Sequence, residues 1–205
     1  SLRVVDVLEN DGKGLNLTFE VRDGILNHKK GGKSATLEGC AVSLADRIAY
    51  VNHDIEDAIR AGLLREEDLP AREIAVLGGT TRERINTMIS SIYANSHGKN
   101  TVTMGAREAD ALESLRSFMF EHVYITEQTK KEEERAKRML AAMYDYFTAH
   151  TDRLPVFFRS LAERFSPAQA VCDYLSSMTD KFAVAVFENL FVPRSWALTE
   201  QDVEN

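Results

Sequence analysis

Apolar residues recur along this 205-residue chain at the spacing of helices rather than of strands. Residues that repeat every three or four positions share one face of an α-helix, whereas a half-buried strand alternates at every second position. The spacing predicts helices at about 17–28, 36–64, 82–93, 108–120, 129–148, 156–165 and 168–191. Because no alternating segment and no repeat is found, we expect an all-α fold with orthogonally packed helices rather than coiled-coil heptads.

Capping and turn residues predict the ends of several of these helices. Thr18, either Thr80 or Thr81, and Ser166 stand where an N-cap oxygen could accept a hydrogen bond from a first-turn amide. Gly62 is a plausible stop for the longest helix, because glycine readily adopts the left-handed conformation that ends helices. The inward face of the helix at 82–93 is predicted to comprise Ile85, Met88, Ile89 and Ile92.

Composition and charge exclude some classes of function. Hydrophobic residues make up 44% of the chain and charged residues 28%, which is an ordinary globular balance. With a net charge of −7, general nucleic-acid binding is not expected, since phosphate binding requires clustered Lys and Arg. No apolar run approaches the roughly 20 residues that span a bilayer. Cys40 and Cys172 lie in apolar runs and are expected to be buried free thiols, so we expect a cytoplasmic protein.

The helix at 36–64 carries most of the candidate chemistry. Each residue advances about 100° around a helix, so Asp46, Tyr50, His53 and Asp57 are expected to share one face, with Asp54 at its edge. Apolar neighbours predict that the first half of this helix is buried. A buried carboxylate is costly unless it binds a metal, pairs or accepts hydrogen bonds.

Spacing alone leaves the roles of these residues open. Asp46 is either a metal ligand or the partner of a buried arginine, and Arg47 is either functional or a solvated surface residue. Tyr50 could bind a phosphate or a sugar, or be a core tyrosine. Asp54 could accept a hydrogen bond from a ribose hydroxyl, or form a salt bridge with a surface Lys or Arg.

Three stretches together resemble one family. They read NLT at 16–18 with VRDGILNH at 21–28, ATLEG at 35–39 running into ADRIAYVNHDIEDA at 45–58, and DYLSSMTDKFA at 173–183. Their order is similar to that in bacterial deoxyguanosine triphosphate triphosphohydrolase-like proteins of the HD superfamily. The resemblance implies an HD-domain-like helical bundle, incomplete at its N-terminal side. Residues 1–95 would form the C-terminal half of the metal-binding core and 96–205 a helical domain that packs on it.

The resemblance also implies roles for four residues. Asp46 matches the last of four metal ligands in the family, and Arg47 matches a basic residue near phosphate. Tyr50 matches a tyrosine that contacts phosphate or sugar, and Asp54 matches an aspartate that binds the sugar 3′-hydroxyl. The implied substrate is a deoxynucleoside triphosphate, and the implied cofactor of the full-length enzyme is a divalent cation such as Mg²⁺ or Mn²⁺. A homo-oligomer is expected.

The sequence departs from the family in one large respect. The family's first His, its His-Asp dyad and its catalytic His precede the segment that begins at Ser1. The only His-Asp pair here is His53-Asp54, which follows Asp46, and we reject a ligand set of His28, His53, Asp54 and Asp110 because the residues around Asp46 fit the later motif. The chain is therefore expected to be part of a longer protein, with no catalytic residue of its own and with metal absent or weakly bound.

The function implied by the resemblance is hydrolysis of a dNTP to a deoxynucleoside and tripolyphosphate, with this chain inactive alone. Two alternatives stay open: a non-catalytic helical module for oligomerisation or regulation, and an HD phosphohydrolase that acts on another nucleotide. Lys29, Lys30 and Lys33 could help to hold a triphosphate, although solvated lysines are the simpler interpretation. The family-like motif 178–180 is expected in the middle of the last helix.

Overall fold

The helices predicted from the sequence are present in the structure, a computed structural model that describes residues 1–29, 31–125 and 127–193. Helices, turns and loops account for these ranges and no strand occurs within them, so the all-α prediction is confirmed. The chain divides into two compact units, residues 1–131 and 132–205. The functional division at residue 95 stays a prediction.

The first unit begins with a π-helical turn and contains six helices, with a second π-helical turn after the last of them. They are the turn Val4–Leu8, α1 (Glu9–Gly12), α2 (Phe19–Asn27), α3 (Leu37–Arg60), α4 (Ala71–Leu77), α5 (Thr81–Ser96), α6 (Ala106–Met119) and the turn Phe120–Tyr124. A single 3₁₀ turn, Glu66–Asp68, joins α3 to α4. The pattern did not predict α4, a short helix that follows Pro70.

Caps hold the ends of α2, α3 and α5. The side chains of Thr18 and Thr36 accept hydrogen bonds from first-turn amides of α2 and α3. Thr80, not Thr81, caps α5, and Glu83 completes a capping box with it. Gly62 has a φ of +70° just after α3, which confirms the predicted stop.

The core of the first unit forms between the second half of α3 and helices α4, α5 and α6. Its fully buried side chains include Ile55, Leu77, Met88, Leu112, Leu115 and Met119. The first half of α3 packs instead on α2, where Gly24 and Gly39 allow the backbones to approach closely. A Cβ atom at Gly39 would lie 2.7 Å from the Cβ of Ser34, in the loop before α3, and 3.3 Å from the Cα of Gly24 in α2, so this position requires glycine.

The second unit contains the rest of α7 (Glu127–Ala149), which crosses the division between units, and three further helices. These are α8 (Val156–Arg164), α9 (Pro167–Ser176) and α10 (Asp180–Phe191). Tyr174 of α9 contacts Phe147 of α7 edge-on and Phe158 of α8, with ring centroids 5.2 and 5.0 Å apart. These rings and the buried Met143 and Val171 form its core.

The prediction of one helix over 168–191 is wrong. The chain leaves the helix after Ser176, and the hydroxyl of Ser177 donates to the Tyr174 carbonyl at 2.7 Å. Thr179 then caps α10 by accepting from the Phe182 amide. Side-chain hydrogen bonds of Ser and Thr compete with the helical pattern in this way. The motif at 178–180 therefore lies at a helix junction and not in mid-helix.

Candidate functional site

A buried polar contact fixes the orientation of α3. Arg84 of α5 is only 2% exposed, and its Nε donates to Oδ1 of the fully buried Asn52 at 2.8 Å. Its Nη1 and Nη2 donate to the Gly79 carbonyl and the Thr81 hydroxyl at 3.1 and 3.0 Å. Burial lowers the pKa of Arg84, and the nearby acidic residues, Glu56 first, oppose that shift. With Asn52 held against α5, the face that carries Tyr50 and Asp54 turns towards α6.

Tyr50 and Asp54 line a polar cleft between α3 and the end of α6, which we name the Asp54 cleft. Arg116, Phe120 and Tyr124 line its other side, and its volume is about 340 Å³. The hydroxyl group of Tyr124 donates a hydrogen bond to the Asp54 carboxylate, and Tyr50 lines the cleft beside the same carboxylate. The structure therefore brings together two of the four predicted site residues, and it adds two polar side chains, Arg116 and Tyr124, from a different part of the chain.

The environment of Asp54 raises the pKa of its carboxyl group. Burial is the main cause, and the charge of Asp57 acts in the same direction. The nearby Tyr50 hydroxyl and the charge of His53 oppose the shift. The pKa of Tyr50 is raised too, by burial first and then by the Asp54 carboxylate, whereas the positive charge of Arg116 lowers it. The cleft thus combines a hydrogen-bond acceptor with a cation that could bind phosphate.

Asp46 and Arg47 do not line the Asp54 cleft. Asp46 is exposed and lies at the edge of a different cavity, between α2 and α3, whose walls are mainly apolar. Arg47 is half-buried. The prediction that the first half of α3 is buried is wrong: Ala41, Val42 and Ala45 are exposed, because α2 and α5 cover this part of the helix only partly. The argument from a buried carboxylate therefore does not apply to Asp46, and its role as a metal ligand stays a prediction.

The described residues do not form a complete metal site. In the ranges 1–29, 31–125 and 127–193, no three His, Cys, Asp or Glu side chains are arranged so that they could hold a metal ion. Asp46 could therefore supply one ligand at most, and a divalent cation does not fit these residues alone. Asp57, the other acidic residue on the same face of α3, forms an exposed salt bridge with Arg60 at 2.8 Å.

Arg116 and Tyr124 were missed by the sequence analysis. They lie eight positions apart, and the π-helical turn Phe120–Tyr124 changes the angular step between them, so a regular helical wheel misplaces Tyr124. Tyr124 also lies 70 residues from Asp54, and only tertiary packing brings them together. A polar stripe beside the apolar face of α6 was the one signal that could have identified Arg116.

The remaining sequence predictions have mixed outcomes. Cys40 and Cys172 are free, as predicted, but neither is buried. Cys40 is half-buried, and Cys172 is exposed because the inward face of α9 is formed by its neighbours Val171 and Asp173. Lys29 and Lys33 are exposed, while Lys30 lies outside the described residues. No helix in the described part of the chain is long and apolar enough to cross a membrane.

Comparison with known proteins finds a matching family model and several similar proteins. A family model described as a phosphohydrolase-associated domain matches residues 102–189. A deoxyguanosinetriphosphate triphosphohydrolase-like protein of Caldanaerobacter subterraneus is 50% identical over 196 residues, which cover 96% of this chain and 58% of the relative. Proteins of the same name from Clostridium tetani and Clostridium perfringens are 41% and 37% identical, over 95% of this chain and 59% of each relative. The chain spans about three-fifths of the length of these curated relatives.

Proposed function

We propose that the chain supplies the sugar-binding side of a dNTP triphosphohydrolase site, because it is similar over nearly its whole length to deoxyguanosinetriphosphate triphosphohydrolase-like proteins. In this reaction water attacks the α-phosphorus and the bond to the 5′-oxygen breaks. The water oxygen stays on the tripolyphosphate, and the 5′-oxygen leaves as the hydroxyl of the deoxynucleoside. The chain alone is proposed to be inactive.

The observation that carries this proposal is the hydrogen-bonded carboxylate of Asp54 in a cleft beside Arg116. An ionised carboxylate has about four lone-pair sites, so Asp54 can accept from a sugar 3′-hydroxyl in addition to Tyr124. The Tyr124 hydroxyl fixes the orientation of the carboxylate before a ligand arrives. Such pre-organisation reduces the entropic cost of binding.

The aromatic rings and the cation of the same cleft suit the rest of a nucleotide. Tyr50 and Tyr124 offer flat faces against which a sugar can pack, and Arg116 offers a planar group that binds phosphate oxygens in pairs. Asp46 and Arg47 lie one turn before Tyr50 on α3 and are proposed to act towards the metal and the phosphates. Cytoplasmic location and homo-oligomerisation are part of the same proposal.

The test uses a full-length chimera, in which this chain replaces the matching part of the Caldanaerobacter subterraneus relative. Purified chimera is assayed with Mn²⁺ for tripolyphosphate release from dGTP and from 2′,3′-dideoxyGTP, which lacks the 3′-hydroxyl. We expect Asp54→Asn to lower kcat/KM for dGTP by about tenfold or more, which is the loss of one charge-assisted hydrogen bond. Asp110→Asn, which alters an exposed carboxylate on α6, is the matched control and should have no effect.

The dideoxy substrate tests whether Asp54 contacts the 3′-hydroxyl of the sugar. If Asp54 binds the 3′-hydroxyl, the unmodified chimera should lose activity when that hydroxyl is absent, and the Asp54→Asn chimera should treat both substrates alike. A folded chimera that releases no tripolyphosphate would overturn the proposed reaction. An active chimera in which Asp54→Asn and Asp110→Asn behave alike would overturn the role of Asp54.

A further inference from the structure

Two Asp-Gly sequences occur in the chain, Asp11-Gly12 and Asp23-Gly24, and the structure places them in opposite environments. An aspartate followed by glycine is the sequence at which an aspartyl side chain reacts most readily with the backbone, because glycine has no Cβ atom to obstruct the amide nitrogen. Local structure then decides which of the two sites reacts. We name them the α1 site and the α2 site after the elements that contain them.

The α1 site lies in an exposed and strained turn. Asn10 and Asp11 have φ values of 54° and 53° and ψ values of 49° and 42°, so two successive residues that carry side chains adopt the left-handed conformation. This conformation brings the Cβ atom close to the following carbonyl oxygen, which costs free energy, and Asn and Asp normally adopt it as single residues. Asp11 is also exposed to water. The folded backbone is therefore strained at the residue that would react.

The α2 site is held by regular structure. Asp23 and Gly24 lie in the middle of α2, and Gly24 is buried. The Asp23 carboxylate accepts hydrogen bonds from Asn27 Nδ2 at 2.8 Å and from the Ala35 amide at 2.6 Å. A reaction here would require rotation about ψ of Asp23, which would break the helix locally and pull the carboxylate away from both donors. The α2 site is therefore expected to be unreactive while this helix is folded.

We propose that Asp11 is a modification site, at which the folded chain forms isoaspartate. The amide nitrogen of Gly12 attacks the Asp11 Cγ atom and forms a C–N bond, and the carboxyl hydroxyl leaves with the amide proton as water. The product is a succinimide ring, which water then opens at either of its two carbonyl groups. Opening at the side-chain carbonyl restores aspartate. Opening at the backbone carbonyl leaves a main chain that runs through Cβ and Cγ, which is isoaspartate.

Isomerisation removes the cause of the strain and lengthens the turn. The left-handed pair of φ and ψ angles at Asp11 no longer exists in the product, because the main chain leaves that residue through its side chain. The extra backbone atom enlarges a turn that the Gly14 amide closes by donating to the Glu9 carbonyl at 2.9 Å. The next amide, of Leu15, donates to the Val5 carbonyl at 2.8 Å, so the modification should loosen the contact between the first π-helical turn and the segment before α2. This chemistry does not depend on the proposed reaction.

The experiment follows both sites in one sample. The folded full-length chimera is incubated at mildly acidic pH, where a part of the carboxyl groups is protonated and can lose a hydroxyl, and is then digested with trypsin. The α1 site falls in the peptide 4–13 and the α2 site in the peptide 23–29, and electron-transfer fragmentation identifies isoaspartate in each. We expect about tenfold more isoaspartate at Asp11 than at Asp23, or a larger ratio, because α2 must open before its site can react.

Unfolding provides the reference, and one variant assigns the signal. In guanidinium chloride the two sites should react at rates within about threefold of each other, because the folded elements that distinguish them are lost. Asp11→Glu keeps the charge in the exposed turn but must close a larger ring, so isoaspartate in the peptide 4–13 should fall to background. Comparable isoaspartate at the two sites of the folded chimera would overturn the proposal, as would a signal in the peptide 4–13 that survives Asp11→Glu. Reaction at Asp11 only after unfolding would overturn it too.

Discussion

The two halves of α3 have similarly apolar sequences but opposite environments. In the second half, Val51, Ile55 and Ala58 are 2%, 0% and 4% exposed, and Asn52 is buried against Arg84. In the first half, Val42 is 58% exposed and Ala41 and Ala45 are also exposed. One continuous helix is thus a core element at one end and a largely open surface at the other.

This difference separates a part of α3 that stabilises the fold from a part that is mostly exposed. The buried half holds the first unit together and sets the rotation of α3, which turns Tyr50 and Asp54 towards α6. The open half carries Asp46 and Arg47 and depends on α2 and on its N-cap. Substitutions in the two halves should therefore have different consequences, and the following predictions test that contrast from the largest effect to the smallest.

The largest expected effect follows from truncating the core end of α3. Ile55→Ala removes a fully buried side chain and leaves a cavity, so it should lower the free energy of unfolding by about 2–5 kcal/mol. Val42→Ala is the matched substitution in the open half and should change the free energy of unfolding by less than about 0.5 kcal/mol. Urea denaturation of the 205-residue chain measures both. Similar losses at the two positions would mean that the halves do not differ.

The next effect concerns the buried polar contact at the core end. Arg84→Met keeps an apolar stem but leaves the Asn52 Oδ1 and the Gly79 carbonyl without their donors, which should cost about 1–3 kcal/mol. The control is Arg60→Met, which removes an exposed salt bridge with Asp57 and should cost less than about 1 kcal/mol. Urea denaturation is again the measurement. A neutral Arg84→Met would show that the apolar core alone holds α3 in place.

The sequence predicted the existence of most helices but not which faces are covered. The caps Thr18 and Thr80 and the stop at Gly62 could be predicted because each depends only on neighbouring residues. All three are present in the structure. Ile89 lies on the predicted apolar face of α5 but is 56% exposed, because periodicity identifies an apolar face without identifying its partner. The break at Ser177 was missed because the helical period continues in register on both sides of it.

Only the α3 side of the candidate site could be predicted from the sequence. Tyr50 and Asp54 are four positions apart on one helix, so their shared location follows from helical geometry. Arg116 and Tyr124 join them through tertiary packing and a π-helical turn, which no local pattern encodes. Asp46 was grouped with them by the same geometry, but its cavity is a different one, because α2 and not α6 borders that part of α3.

A moderate effect is expected at the cap of the open half. The Thr36 hydroxyl accepts from the Gly39 amide at 3.1 Å, and without it the first turn of α3 loses a hydrogen bond that no tertiary contact replaces. Thr36→Ala should therefore lower the free energy of unfolding by about 1 kcal/mol, and Thr36→Ser should restore most of it. Ser90→Ala, an exposed position within α5, is the control and should be close to neutral. Hydrogen exchange should show the loss confined to the first turns of α3.

The smallest effect is a pH dependence at Asp54, where the two halves meet. Its pKa is raised in the folded state, mainly by burial, so the folded protein holds this proton more tightly than the unfolded chain does. The contribution of Asp54 to stability is therefore fully present below its ordinary pKa of 3.8 and is lost as the pH rises through the folded-state value. Asp54→Asn cannot ionise, so the difference in unfolding free energy between the variant and the parent should move in favour of the variant as the pH rises from about 3.5 to 6.

A second substitution separates the causes of that shift. The charge of Asp57 raises the pKa of Asp54, so Asp57→Asn should reduce the pH-dependent difference without abolishing it, because burial is the larger cause. Urea denaturation at a series of pH values measures the parent and both variants. The free energies of unfolding of the parent and of Asp54→Asn could instead change in parallel over this pH range. That result would mean that the folded and unfolded states hold the Asp54 proton equally. The carboxylate would then be as well solvated as the open half of the helix, and the boundary between the halves would have to be drawn after Asp54, closer to the buried Ile55.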